Sequence, residues 1–306
     1  MELSNLFTYE TLVHAIAGAT GSVIGVTTFY PLEIIKVRSI INNGSSGESK
    51  NVLQKLEQII KEEGIHALYQ GLEPMVKSLC MSNFVYFYTF HALKSIHSGS
   101  SGAESSSILT DLCLSSIAGI INVLTTTPLW VVNTRLKVSN QYSGLLHGLI
   151  KVYKEEGLAS LWNGTFASLI LVSNPAIQMS VYELLKRYSV HVNNSSAKFF
   201  ILASLSKIVS TLITYPVQIA QNVQRLSKTP SSPEKEDSEK KKSKRSAQSM
   251  IEIIMYIFKY EGIRGLYKGV EAKILQTVLT AALMFVAYEK IVSLIFRTFS
   301  IEKKLK

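Results

Sequence analysis

Charge is what this sequence lacks most. Aspartate, glutamate, lysine and arginine make up 18% of its 306 residues, where soluble domains carry about 25%. Whole stretches carry none, and Leu12 to Tyr30, LVHAIAGATGSVIGVTTFY, is the first of them. A surface helix of a soluble protein turns a polar stripe to water; this stretch has no charged residue on any face. About 20 apolar residues cross a bilayer as a helix, so six such segments predict a polytopic membrane protein rather than two soluble domains. Cysteine is nearly absent. Cys80 and Cys113 lie singly inside apolar segments with no CxxC spacing, so buried inert thiols are expected, with no disulfide and no metal site. The six histidines show no ligand spacing. Residues 1 to 11 are polar and Met1 is not followed by bases, so no cleaved signal is expected, and the C-terminal KKLK is no peroxisomal tripeptide. There is no P-loop, GxSxG, HExxH or carboxylate pair, so no enzyme is expected.

Base is present in excess: the formal charge is +10 and the pI near 9.4, on a mean hydropathy of +0.20. Such a balance suits nucleic acid. Here the bases gather at the ends of apolar segments and in one linker, which fits loops beside membrane spans, so nucleic acid is not expected as a partner and lipid is.

One pattern returns three times. Tyr30 to Arg38, YPLEIIKVR, follows the first apolar span; PLWVVNTR, Pro128 to Arg135, follows 112–130; PVQIAQNV, Pro216 to Val223, follows a span at 199–217. A proline inside a long helix removes a backbone donor and clashes with the preceding turn, so Pro31, Pro128 and Pro216 predict kinks. After each comes an amphipathic piece that stops at a glycine: VLQKLEQIIKEEGI, LLHGLIKVYKEEGL and IEIIMYIFKYEGI. Gly64, Gly157 and Gly262 are spaced by 93 and 105 residues, and a polar insertion in the third copy accounts for the difference. Each copy then closes on a short motif, LYQG, LWNG or GLYKG, and a second span: Met75 to Ala92, Ser168 to Tyr182, Ile274 to Tyr288. A flexible linker is expected over 97–107, HSGSSGAESSS. Repeats of this kind define the architecture before any local motif does.

The repeated Pro-x-acid-x-x-base-x-base pattern, with EGIHALYQG, EGLASLWNG and EGIRGLYKG in register behind it, resembles the mitochondrial carrier family (solute carrier family 25) over nearly the whole chain. SNFVYFYTF, TTPLWVVNTRLK, LWNGTF, NPAIQ and GLYKGVEAKILQTVLTAALMF are similar to its peroxisomal branch. The resemblance implies an all-α membrane protein: six tilted transmembrane helices in three pseudo-threefold repeats around a central cavity, with short amphipathic helices on the organelle-interior side. The repeats would run over 9–96, 108–190 and 197–295, with the polar insertion at 228–247. It further implies a functionally monomeric antiporter, in the peroxisomal membrane, of adenine-containing small molecules: CoA, FAD, NAD, AMP and adenosine 3',5'-bisphosphate. These would be transported substrates and not resident cofactors. A peroxisomal ATP/AMP exchanger, or a folate, FAD or pyrimidine-nucleotide carrier of the mitochondrial inner membrane, remains open. So does a non-transporting membrane scaffold.

In the family the acid of each proline motif pairs with the base of the next repeat to close the interior gate. Here that would pair Glu33 with Asn133, Trp130 with Gln221 and Gln218 with Lys36, and none of these joins opposite charges. At the cytosolic gate Glu289 would meet Lys94 and His91 would face Lys186, with Glu183 belonging to the same set. Both gates should therefore be weak and the empty carrier able to interconvert.

The family binds substrate seven residues past each closing glycine, which gives Ser78, Leu171 with Val172, and Gln276. None is charged; Leu171 and Val172 suit the face of a purine. Tyr86, Tyr88 and Phe84 could stack a base, though packing against helices or lipid explains any single ring as well. Asn83 and Asn174 could read a polar edge. Lys207 is the expected phosphate partner, because an ionisable group in mid-span costs about 2.5–3.5 kcal/mol and so reads as functional. Lys77, Lys273, Arg38 and Arg135 are further candidates, with snorkelling an even alternative for Lys77 and Lys273. Pro175 should bend the fourth span beside Asn174.

Overall fold

The computed structural model describes residues 20–41, 51–101, 108–139, 142, 144–188, 196–227 and 249–298. Every regular element among them is helical. In chain order these are α1 (residues 20–28), α2 (Tyr30–Ile41), α3 (Val52–Glu63), α4 (Leu72–Ser101), α5 (Ile108–Leu136), α6 (Leu145–Glu156), α7 (Thr165–Leu171), α8 (Asn174–Tyr188), α9 (Ser196–Leu226), α10 (Met250–Leu266) and α11 (Val270–Thr298). Short 3₁₀ turns at Ile65–Tyr69 and Leu158–Trp162 lead into α4 and α7.

The expected spans all fall on helices, save that 12–19 and the polar insertion lie outside the described residues. α4 and α11, of 30 and 29 residues, would each reach about 45 Å, longer than a bilayer core. α4 also runs on through Ser101 into the stretch expected to be a linker, since adding residues to a formed helix costs far less than starting one. Thr110–Leu136 and Lys198–Leu226 are long and apolar enough to cross a membrane. The fourth span is split at Val172–Ser173 into α7 and α8. Pro175 sits just past the split, as its missing N–H predicts.

The three prolines do not act alike. The first helix is interrupted at Phe29, just before Pro31. Pro128 and Pro216 instead lie inside the continuous α5 and α9.

The chain divides into two compact units: Met1–Ile35 with Lys50–Tyr69 and Glu271–Lys306, and Lys36–Ser49 with Gln70–Val270. Each has a core built by one rule, in which a surface helix buries its apolar stripe on the proline motif of its own repeat. In the first unit Val52, Leu56 and Ile59 of α3 pack on Leu32 and Ile35 of α2. In the second, Leu145, Leu149 and Val152 of α6 pack on Val132 and Leu136 of α5, while Met250, Ile253 and Ile257 of α10 join Tyr215 and Ile219 of α9. α3 and α6 stop at Gly64 and Gly157, whose φ of 83° and 84° is a conformation glycine alone adopts freely. The opposite faces of these helices expose Leu53, Leu146 and Phe258, as expected of amphipathic helices lying in a membrane interface.

Cys80 and Cys113 are exposed, so the expectation of buried thiols fails.

Candidate functional site

Between the repeats of the second unit, polar side chains make the contacts. α4 packs along α5 and α8 along α9. In the first seam Asn122 Nδ2 donates to Ser82 Oγ at 3.0 Å and the Ser82 hydroxyl donates to Asn122 Oδ1 at 3.1 Å. In the second, Asn174 Nδ2 donates to Thr214 Oγ1 at 2.8 Å while the Ser210 hydroxyl donates to Asn174 Oδ1 at 3.0 Å. Asn122 and Ser210 hold the same place, six residues before their prolines. The residue at that place in the first repeat is Gly25, which packs against Thr280 of α11 inside the first unit; a Cβ there would stand 3.0 Å from the Thr280 carbonyl oxygen.

Asn174, expected to read substrate, thus has both ends of its amide occupied by α9. This ties down α8 at the split and sets it one turn from Lys207, whose carbonyl also accepts from the Ser210 hydroxyl at 3.4 Å. α9 carries a polar stripe at helical spacing, Lys207, Ser210, Thr211, Thr214, Gln218, Gln221 and Arg225. Its lower end meets α7, where Gln221 Nε2 and Arg225 Nη2 donate to Ser168 Oγ at 2.7 and 3.1 Å. Lys207 is half-buried and its ammonium has no ion-pair or hydrogen-bond partner among the described residues.

The other expected contacts sort themselves. Ser78 is fully buried and its hydroxyl donates to the Pro74 carbonyl of its own helix, so it offers nothing outward. Val172 fills a notch over Gly119 of α5, whose Cβ, if it had one, would stand 2.9 Å from a Val172 methyl; it serves helix packing and not a purine. Leu171 is half-buried and Asn83 is exposed. Tyr86 stacks on Phe90, on the side of α4 that carries Ser82, and Phe84 stacks on Tyr88 at the opposite side. Phe84 and Tyr88 are two-thirds exposed and Tyr86 is half-buried. In the first unit Lys273 is half-buried, and Gln276 is 7% exposed with its Oε1 unpartnered; one turn further on, Thr280 Oγ1 is unpartnered too. Lys77 pairs with Glu73 on an exposed face.

Among the described residues, none of the gate pairings expected inside the second unit is hydrogen-bonded. Gln221 goes to Ser168, with no hydrogen bond to Trp130. Gln218 Nε2 donates to Thr214 of its own helix at 3.0 Å, away from Lys36. Glu33 and Lys36 are both buried, and Asn133 is fully buried with neither amide atom hydrogen-bonded. Lys94 pairs instead with Asp111 at 3.1 Å, over the ring of Phe90. His91, Glu183 and Lys186 are exposed, and the Glu289 side chain lies outside the described residues.

Arg135, expected near phosphate, proves structural. It is fully buried and bidentate with Glu156 at 2.6 and 2.9 Å, and it donates to the carbonyls of Arg225 and Ser227, each at 2.9 Å. Sequence reading missed Asp111, Ser168, Ser210 and Thr214. Their signal was present, since each is a polar residue in or beside an apolar span.

The packing of Val172 gives a first prediction. Gly119→Ala forces the α7 end away from α5 and should cost about 1–3 kcal/mol, read as a lower melting temperature of the purified protein; Gly119→Ala with Val172→Ala should recover most of it.

Comparison with known proteins agrees with this repeat geometry. The family model described as Mitochondrial carrier protein matches residues 7–101, 104–193 and 192–299. A mouse protein named Peroxisomal membrane protein PMP34 is 41% identical, over 99% of this chain and 100% of its own length. A soybean Peroxisomal adenine nucleotide carrier 1 is 32% identical, over 92% and 91%. An Arabidopsis Peroxisomal nicotinamide adenine dinucleotide carrier is 27% identical, over 92% and 96%. The chain belongs to the mitochondrial carrier family, in its peroxisomal branch, and is a multi-pass membrane transporter rather than an enzyme.

Proposed function

We propose that this carrier exchanges adenine-bearing nucleotides and cofactors, the class of CoA, FAD, NAD, AMP and adenosine 3',5'-bisphosphate, across the peroxisomal membrane by alternating access. The observation that carries the reading is Lys207, a half-buried cation in mid-span with no counter-ion among the described residues. A buried ammonium without a counter-ion is costly, and a phosphate supplies both charge and acceptors. The names of the soybean and Arabidopsis relatives point to the same class. Near Lys207 on α8 and α9 stand amide and hydroxyl groups, Asn174, Ser210 and Thr214, rather than the arginine clamp a small dicarboxylate would need. The transporting unit in this reading is a monomer in lipid, with no resident cofactor.

The test is purified protein in liposomes loaded with AMP and offered labelled CoA, NAD, FAD, ATP and pyrimidine nucleotides. Uptake of the adenine compounds is expected; uptake restricted to ATP, or to pyrimidine nucleotides or folate, overturns the reading in favour of those carriers, and no uptake at all favours a scaffold. Because neither gate offers a full set of ion pairs, measurable uptake into empty liposomes is expected as well. Strict dependence on internal substrate would contradict weak gates.

A further inference from the structure

A proline at position i withholds the N–H that would bind the carbonyl of residue i−4. Pro128 thus frees the carbonyl of Leu124 in α5, and Pro216 frees that of Leu212 in α9. Both are taken up from outside the helix. The indole N–H of Trp162 donates to the Leu124 carbonyl at 2.9 Å, and the Tyr267 hydroxyl donates to the Leu212 carbonyl at 3.3 Å. The two donors hold one position in their repeats, two residues before the closing glycines Gly164 and Gly269. In a lipid surrounding no water would replace them, and a freed carbonyl must find a partner in the protein.

The first repeat differs. Tyr69 holds the same position there, and the carbonyl freed by Pro31 is that of Thr27. Tyr69 stacks on Tyr30, ring centroids 6.4 Å apart, and makes no hydrogen bond to Thr27. Tyr267 stacks on Tyr215 in the same way, at 5.9 Å, and still reaches its carbonyl. Helix continuity follows the bond: α5 and α9 run through their prolines, and the first helix is interrupted at Phe29.

We propose that the aromatic residue of each closing motif is a positioning residue that caps the proline-freed carbonyl, and that the uncapped first repeat is the hinge of this carrier. Capping decides which of two roles a proline has. With a donor in place, the spanning helix and the surface segment behind it move as one piece; without one, the helix bends where the proline stands.

Trp162→Phe keeps the ring and removes only the donor. It should lower the melting temperature of the full-length protein by about 2–4 °C. The same change made on Pro128→Ala, where a backbone N–H again serves Leu124, should lower it by no more than about 1 °C. Equal losses in both backgrounds overturn the cap. Tyr267→Phe with Pro216→Ala repeats the test should the first pair fail to fold. Transport separates positioning from mere stability. Trp162→Phe should change the maximal exchange rate several-fold while KM stays within about twofold, and Pro128→Ala should rescue it. A change confined to KM counts against the proposal. Pro31→Ala should raise the melting temperature and slow exchange; undiminished exchange removes the hinge from repeat 1. The transport arms rest on the nucleotide reading for their substrate, whereas the melting arms do not, so either can fail alone.

Discussion

Arg135→Ala should cost this protein about 3–5 kcal/mol, which for a chain of this size is a fall in melting temperature of about 6–20 °C. The guanidinium is fully buried and all its contacts are internal: two bonds to Glu156 and one each to the carbonyls of Arg225 and Ser227. Removing it strands the Glu156 carboxylate, whose side chain is 8% exposed, and leaves two carbonyls unpaired. The cost is that of an uncompensated buried charge more than of a lost attraction. Arg135→Lys should recover little, because an ammonium cannot hold both carboxylate oxygens and the two carbonyls from one rigid fork. Arg135→Met with Glu156→Leu should recover much of the stability, since an ion pair replaced by apolar groups is often neutral. Thermal unfolding of the three variants checks this. A loss below about 1 kcal/mol in Arg135→Ala would mean that water reaches Glu156.

Lys207→Ala should reduce the kcat/KM of nucleotide uptake by about 10- to 150-fold, the worth of a charged hydrogen bond. The melting temperature should stay or rise, because the ammonium has no partner among the described residues and its partial burial is itself a cost. That opposition is what distinguishes a substrate contact from a structural lysine. Lys207→Arg should retain part of the activity for phosphates but with altered preference, as the planar fork differs from a point charge. Uptake and thermal unfolding of the same preparations settle it; full uptake by Lys207→Ala would remove this residue from the substrate path.

Much of this architecture was legible in the sequence because it rests on one-dimensional signals. The period marked by Gly64, Gly157 and Gly262, the apolar stripes of α3, α6 and α10 and the uncharged spans all follow from residue order alone. The split of the fourth span beside Asn174 was legible for the same reason, since a proline acts on its own helix. Partner choice was not. Whether Asn174 faces substrate or α9 depends on the rotation of a helix about its axis, and Ser210 and Thr214 lie 36 and 40 residues away. Lys94 had a carboxylate 17 residues off, Asp111, on the next helix; repeat symmetry pointed to a different one. Threefold reasoning finds what the repeats share and overlooks what distinguishes them. Val172 shows the limit most plainly: counting from Gly164 reached it together with Leu171, but no count could tell that its side chain packs over Gly119.

One such distinction reaches beyond transport. Val223 stands in the third repeat where Arg135 stands in the second, and Glu261, the counterpart of Glu156, turns to Lys268 at 2.7 Å instead. Among the described residues no counterpart of the Arg135–Glu156 pair stands at that place, and Ile219 packs there with Ile253 and Ile257. A connection that fastens nothing can be lengthened cheaply, at about 0.6 kcal/mol for each doubling. The stretch from Leu226 to Met250 is far longer than its equivalent from Leu136 to Leu145. The third repeat is thus the place in this chain where foreign sequence, an epitope or a fluorescent tag, can be spliced with least harm to the whole.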